Sequence, residues 1–340
     1  PPRSTPKPSS AASDVYKRQP NVYTVENRNF FQDLSHVLGR CELLEDGFII
    51  AEFELDLSNI DPGSHKTISV PISSGRKLDP FKEYAVNFIF SLQQATSWAE
   101  KGHIVAADQV LIQPGTRIFG RIPDISTLPK LKTERSGDGL VVTAAEKNFQ
   151  FNLNAGQLLN VAINDKQYLS APLLHNIWRA PTDNDEGGDD KSFASRWLKA
   201  GYNKLQRSVQ SVEVKEPNNQ MVQIKISEKH ISKKGDIHVE MVYTVLGNGD
   251  LHVDVQSIVD PILPSLPKLG ITFKIPEEFS YLKWYGRGPH ESYSDRKHNA
   301  FLGIFEGTVA GQYFPYVPVS YTHLRAHETS LHLVCRLLLE

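Results

Sequence analysis

Cysteine is nearly absent from this chain of 340 residues, which contains only Cys41 and Cys335. So few cysteines exclude a disulfide-rich scaffold and slightly favour a reducing compartment such as the cytoplasm, although the localisation itself stays unknown. No run of about 18 apolar residues is present, so the sequence predicts no membrane-spanning helix. The first residues also lack the apolar stretch of a signal peptide.

An excess of positive charge is absent as well, since 37 basic residues face 39 acidic ones and the formal net charge is −2. Such a chain is not suited to binding nucleic acid or an anionic membrane surface. The Walker loop, the GxGxxG fingerprint and the GxSxG elbow are missing too, which argues against nucleotide-binding and serine-hydrolase classes. Hydrophobic residues make up 40% and charged residues 22%, which is typical of globular proteins with two or three domains at this length.

The segment 20–113 has the pattern of an antiparallel β-domain. Leu43–Leu44 and Phe48–Ile50 flank Asp46-Gly47, a dipeptide that favours tight hairpins. Apolar side chains alternate along the run that follows Tyr84: Val86, Phe88, Phe90 and Leu92. Short strands with regular turns over this length predict an immunoglobulin-like β-sandwich.

The segment 114–138 is rich in proline and basic residues, and we expect it to be a linker. The segment 139–318 is again β in pattern. Phe149, Phe151 and Leu153 alternate, and a returning strand is predicted to present Leu159, Val161 and Ile163. A hairpin is predicted over 239–255, with its turn at 247–250, and one helix over 191–200 that stops at Gly201.

Four aspartates crowd the loop RAPTDNDEGGDD, residues 179–190, and this loop has three interpretations. Closely spaced carboxylates suit calcium, but the EF-hand spacing fails because no glutamate stands at the twelfth position. Alternatively, Asp and Asn side chains satisfy the backbone of an ordinary polar connection. The third interpretation is only what the family resemblance described below implies, namely a loop beside a substrate cleft with Gly187 and Gly188 as a permissive hinge.

Other polar motifs carry weaker signals. His290 and Glu291 invite an acid–base role, but neighbours on a strand point to opposite faces, so a structural role is favoured. Trp98 suits either a sugar-stacking platform or a core or interface aromatic, and the second is favoured. A helical spacing of His323, His327 and Glu328, with His332 nearby, would suit zinc if this tail were natural protein.

Two motifs together resemble the large bacterial β-galactosidases of glycoside hydrolase family 2. The first motif matches at Arg179, Ala180, Pro181, Asp183, Asn184, Asp185 and Gly187, and the second is YGRGPHESYSDR at residues 285–296. The resemblance covers most of residues 21–317. It implies a mostly β fold, namely an immunoglobulin-like β-sandwich followed by a truncated galactose mutarotase-like antiparallel β-supersandwich.

The resemblance also implies a function for a longer parent enzyme, the retaining hydrolysis of terminal β-D-galactosides. In that family the two catalytic carboxylates and the magnesium ligands belong to a (β/α)₈ barrel, and a monovalent cation is also required. We therefore expect no catalytic residue and no metal site in this chain. The cleft-side residues implied here are Asp183, Asn184, Asp185, Gly187 and Gly188. The implied partners are a galactoside, the N-terminal and barrel domains, and further copies in a homo-oligomer.

Two other functions remain open at this stage: a stand-alone carbohydrate-binding sandwich, and a mutarotase-like aldose epimerase that uses His290 or Glu291. The two ends of the chain raise a separate expectation. Residues 1–19 and 319–340 resemble translated sequencing-adaptor read-through, so we predict that they are artefacts and that 20–318 is an internal piece of the enzyme.

Overall fold

The computed structural model describes residues 15–19, 22–72, 78–113, 124–290, 292, 298 and 300–312. The chain divides into two compact units. The first contains the described residues up to 113 together with 281–312, and the second contains 124–280. Both units are built almost entirely from antiparallel strands, which confirms the mostly β class.

The first unit contains two sheets and a separate hairpin. One sheet has the order β1-β2-β5 and the other has the order β4-β3-β6-β7. Their strands are β1 (Val15–Gln19), β2 (Val22–Glu26), β3 (Val37–Glu45), β4 (Phe48–Leu55), β5 (His65–Ser69), β6 (Tyr84–Leu92) and β7 (Ile104–Gln113). This arrangement agrees with the predicted β-sandwich.

The core of the first unit lies on the alternating faces of these strands. Val86 and Phe88 of β6 are fully buried, and the Phe88 ring packs 4.7 Å from that of Tyr23 on β2. The alternation predicted for β6 is therefore confirmed. The β3–β4 turn is confirmed too, since Asp46 and Gly47 have φ angles of 48° and 85°, the left-handed values that such a tight turn requires.

The hairpin of β19 (Tyr281–Gly288) and β20 (Phe301–Thr308) groups with the first unit by its contacts. The sequence placed it in the second domain, 139–318, and that domain limit stays a prediction. The Gln109 side chain explains the grouping, because its amide donates to Leu302 O at 2.8 Å and accepts from Leu302 N at 2.7 Å. The side-chain amide thus makes the two backbone hydrogen bonds that a residue of an adjacent strand would make. Tyr285 adds a hydrogen bond of 2.5 Å to Glu83.

The second unit has a larger sheet of order β18-β13-β11-β10-β9-β8, with β12 paired to β11, and a four-stranded sheet of order β14-β15-β16-β17. The strands of the larger sheet are β8 (Lys132–Ser136), β9 (Gly139–Ala144), β10 (Lys147–Asn152), β11 (Gln157–Ile163), β12 (Lys166–Gln167), β13 (Ala171–Asn176) and β18 (Gly270–Lys274). Those of the other sheet are β14 (Gln206–Asn218), β15 (Met221–Ile231), β16 (Asp236–Leu246) and β17 (Leu251–Val259). One core of buried side chains takes residues from both sheets, among them Phe149 of β10 and Tyr243 of β16.

Two expectations for this unit need correction. The pairing of β10 with β11 shifts register after Gln150, and this bulge turns Leu158 into the core and leaves Leu159 38% exposed. The linker expected at 114–138 also contains structure, because β8 pairs with β9 in regular register. The domain limits as a whole stay a prediction.

The predicted helix and hairpin are present. The hairpin is β16–β17, and its turn includes Gly249 at a φ of 81°. The helices are α1 (Asp183–Glu186) and α2 (Phe193–Ala200), and α2 stops at Gly201 with a φ of 83°. Among the helices of the described residues, none is long and apolar enough to span a membrane.

The two chain ends were expected to be artefacts, and the structure describes only residues 15–19 of these two segments. Val15–Gln19, within the segment 1–19, forms β1 and pairs with β2. That pairing says nothing of the segment's origin, which stays a prediction. Residues 319–340 lie outside the described residues.

Candidate functional site

The acidic loop 179–190 is held by an ion pair between Arg179 and Asp185. The Arg179 guanidinium donates to the two oxygens of Asp185 at 2.6 and 3.1 Å, and both side chains are only 13% and 12% exposed. The same carboxylate accepts from the backbone N–H and the hydroxyl of Thr182 at 2.8 and 2.9 Å. Asp185 is therefore a structural anchor of the loop.

The charge of Asp185 is stabilised by these partners. Burial by itself would raise the pKa of Asp185, but the hydrogen bonds from Arg179 and Thr182 outweigh it and hold the pKa below its usual value. The carboxylate is thus ionised at neutral pH. It stands near the start of α1, where negative charge is favourable.

Arg179 also ties the loop to the segment 264–267. Its Nε donates to Pro267 O at 2.9 Å, and its guanidinium lies 5.0 Å from the centre of the Trp197 ring. Trp197 in turn donates from its indole nitrogen to Ser265 O at 2.8 Å, and Tyr202 donates to Pro264 O at 2.6 Å. A network of side-chain bonds to backbone carbonyls therefore fixes the base of the loop.

The tip of the loop is exposed, so the residues predicted to line the cleft differ in their exposure to solvent. Asp183 and Asn184 of α1 are exposed, whereas Asp185 is buried. Gly188 has a φ of 109°, which favours glycine, while Gly187 at −60° does not need it. The role of these five residues beside a substrate cleft, and of the glycines as a hinge, stays a prediction.

The structure favours the polar-connection interpretation of this loop over calcium binding. Asp185 satisfies the backbone N–H of Thr182, as that interpretation requires. Among the described residues, the one group of at least three potential metal ligands lies elsewhere, at His175, Glu228 and His230. The aspartates of the loop do not converge.

The weaker sequence candidates have different outcomes. Trp98 is 66% exposed and meets His103 edge-on at 5.4 Å, so it is not a core aromatic, whereas its roles as an interface aromatic or a sugar-stacking platform stay predictions. His290 is exposed, whereas Glu291 lies outside the described residues, so their acid–base role stays untested. The tail histidines His323, His327 and His332 also lie outside the described part of the chain.

The structure contains a buried polar cluster of His175, Glu228 and His230 between β13 and β15 that was not predicted from the sequence. The carboxylate of Glu228 accepts from Arg207 Nε at 2.5 Å and lies 2.8 Å from His230 Nε2. The ring of His175 lies 5.3 Å from that of His230, and its Nε2 is 3.2 Å from Ser257 Oγ. A signal was available, since Glu228 and His230 continue the inward positions of β15 set by Val222, Ile224 and Ile226.

Burial controls the electrostatics of this cluster. It lowers the pKa of His175 to about 4, an effect that His230 reinforces and Glu228 opposes. Burial would raise the pKa of Glu228, but the hydrogen bond from His230 and the charge of Arg207 lower it overall. His175 is therefore neutral at pH 7 and Glu228 is ionised. The Nδ1 atom of His175 is buried and has no hydrogen-bond partner.

The chain matches two family models in sequence order. The model for β-galactosidase domain 4 matches residues 23–113, and the model for the β-galactosidase small chain matches residues 143–325. The first match coincides with the first sandwich. The second covers most of the second unit, including both the acidic loop and the buried cluster, and it also spans the hairpin β19–β20.

Individual relatives agree with these matches. A β-galactosidase from Vibrio cholerae is 30% identical over 317 residues, which cover 91% of this chain and 30% of that protein. One from Clostridium acetobutylicum is 30% identical over 292 residues, and one from Priestia megaterium is 25% identical over 296 residues. The chain thus spans about three tenths of the length of the curated relatives it matches. With a family model matching more than half of its residues, the chain belongs to the β-galactosidase small-chain family.

Proposed function

We propose that this chain serves as part of a β-galactosidase that hydrolyses terminal β-D-galactosides with retention of configuration. The observation that carries this proposal is that two different β-galactosidase family models match the two successive β-domains in order. A stand-alone sugar-binding module or an epimerase would not require both domains of one enzyme family.

The catalytic carboxylates are proposed to lie outside this chain. A retaining glycosidase needs two carboxyl groups about 5–5.5 Å apart on either side of the scissile bond. The most prominent carboxylates of the second unit are unsuited to this work, because Asp185 and Glu228 are each engaged by an arginine. The chain would instead supply a scaffold and one wall of the cleft.

The acidic loop is the proposed contribution to the cleft. Its base is fixed by Arg179 and Asp185, whereas Asp183 and Asn184 present exposed polar atoms. Polar side chains on a loop anchored by a rigid scaffold can bind sugar hydroxyls. The glycines 187 and 188 would allow the loop to adjust when substrate enters.

The cofactors of the parent enzyme are proposed to bind elsewhere. Magnesium prefers oxygen ligands, whereas the one cluster of potential metal ligands in the described residues provides two imidazoles and a single carboxylate. These residues do not fit magnesium. The proposed partners are therefore the domains that carry the magnesium and monovalent-cation sites, and further copies of the enzyme in a homo-oligomer.

The role of the loop can be tested in the protein encoded by the full reading frame that contains this chain. Replacing Asp183 and Asn184 by alanine is expected to raise KM for an aryl β-galactoside while unfolding stays unchanged. The matched control is Glu213→Ala, an exposed acid on β14 outside the loop, which should leave KM unchanged. An unchanged KM in the loop variant would remove the loop from the cleft.

A further inference from the structure

The buried cluster of the second unit combines donor atoms that zinc-class ions use. His175 comes from β13 of the larger sheet, and Glu228 and His230 come from β15 of the facing sheet. One donor atom from each lies within 4.8 Å of the other two. Exposures of 6%, 1% and 6% keep all three side chains away from solvent. Two imidazoles and one carboxylate form a ligand set known from zinc enzymes.

The neighbours of these donors occupy the positions of outer-shell partners. Arg207 holds Oε2 of Glu228 and also donates to the carbonyls of Ala155 and Gly156, both at 2.7 Å. This leaves Oε1 on the side of His230. Ser257 similarly orients the His175 ring through Nε2. Ligating imidazoles and carboxylates in metal sites are held by hydrogen bonds of this kind.

A second observation shows that the protein alone does not satisfy the cluster. The Nδ1 atom of His175 is buried without a hydrogen-bond partner, although the residue is only 6% exposed. Buried polar atoms in folded proteins are nearly always paired, so an orphan calls for a missing partner. On this basis, we propose that His175, Glu228 and His230 form a site for one divalent transition-metal ion, with Zn²⁺ as the ion that fits best.

Binding would require only a small rearrangement of the cluster. Ligand atoms at about 2.0–2.1 Å from a tetrahedral Zn²⁺ lie roughly 3.3 Å from one another. The three donor atoms of the cluster now lie within 4.8 Å of one another. Glu228 Oε1 and His230 Nε2 are now 2.8 Å apart, and they would separate slightly as the ion replaces the hydrogen bond between them. A water molecule would complete the coordination. The ion would then bridge the two sheets of the sandwich.

The test is Zn²⁺ binding to the purified full chain, measured by competition with a chromophoric chelator. The tail offers competing ligands, so His323, His327 and His332 are first replaced together by alanine. This background chain is expected to bind one equivalent of Zn²⁺ and to melt at a higher temperature with the ion. Replacing His175 or His230 by glutamine should weaken binding by more than about tenfold. The control His238→Gln, an exposed histidine on β16, should bind like the background.

Either of two results would overturn the proposal: no Zn²⁺ binding by the background chain, or binding that persists unchanged in both glutamine variants. If a variant does not fold, X-ray absorption at the zinc edge of the loaded background chain decides. Two imidazoles with oxygen ligands would support the site. A shell of oxygen alone, or of three or more imidazoles, would contradict it.

Discussion

Asp185→Asn tests the structural account of the acidic loop, because asparagine keeps the shape of the side chain and removes its charge. In the folded protein this carboxylate accepts four hydrogen bonds, two from Arg179 and two from Thr182. The substitution would remove the carboxylate charge that accepts both hydrogen bonds from the Arg179 guanidinium. Removing one member of a buried pair costs about 3–5 kcal/mol.

The expected cost is lower than that range because the pair is not fully buried and Arg179 keeps other partners. Its side chain is 13% exposed, and it still donates to the carbonyls of Pro267 and Ala180. We therefore expect Asp185→Asn to lower the free energy of unfolding of the second unit by about 2–4 kcal/mol. Urea unfolding followed by tryptophan fluorescence measures this, since Trp197 packs beside Arg179.

Two further measurements separate the ion pair from general damage. Asp183→Asn, on the same helix but exposed, should change stability by less than about 0.5 kcal/mol. Arg179→Met combined with Asp185→Asn should cost less than the sum of the single changes, because both changes remove the same ion pair. A cost below about 0.5 kcal/mol for Asp185→Asn, or strict additivity of the two changes, would refute the ion pair as the anchor of the loop.

The pH dependence of the same anchor has a defined sign. The pKa of Asp185 is lower in the folded state than its usual value, so the folded state binds its proton less readily than the unfolded chain does. The stabilisation is present above the unfolded pKa of about 3.9 and is lost as the pH falls through the folded pKa. In Asp185→Asn this part of the acid sensitivity should disappear.

Three other predictions concern positions outside the loop. Phe88→Ala should destabilise the first unit by about 3–5 kcal/mol, measured by urea unfolding, because it empties a fully buried position, and a cost below 1 kcal/mol would contradict that packing. Gly47→Ala should lower the melting temperature, because φ is 85° and an added Cβ would meet the Tyr285 ring at 2.7 Å. The control is Gly63→Ala, where φ is 70° but no atom lies within 4 Å of an added Cβ, so that only backbone strain is tested. For His175, the folded pKa of about 4 lies below the unfolded value of about 6.5, so the unfolded chain binds more protons between these values. Stability should therefore fall by up to about 3 kcal/mol as the pH drops from 6.5 to 4 in metal-free protein, and His175→Gln should remove that slope.

Local sequence patterns predicted most of the secondary structure because their causes are local. The left-handed angles at Asp46 and Gly47, and the stop of α2 at Gly201, follow from residue types that tolerate such backbone. The position of Leu159 could not be predicted in this way. A bulge opposite Gln150 shifts the register there, and nothing in the alternation of the strand itself shows it.

Features that depend on long-range contacts could not be predicted from local patterns. The amide of Gln109, for example, binds the backbone of Leu302, which lies 193 residues away along the chain. The candidate sites show the same difference between local and long-range features. The role of Asp185 within its own turn was foreseeable, whereas the meeting of His175 with Glu228 and His230 depends on the packing of two sheets.

The central claim is that this chain is part of a β-galactosidase. The measurement that tests it most directly is the release of nitrophenol from a nitrophenyl β-D-galactoside by two proteins, the chain alone and the product of the full reading frame that contains it. We predict turnover by the full product and none by the chain alone, because acid–base and nucleophilic groups are both required. Turnover by the chain alone, or its absence from the full product, would contradict the account.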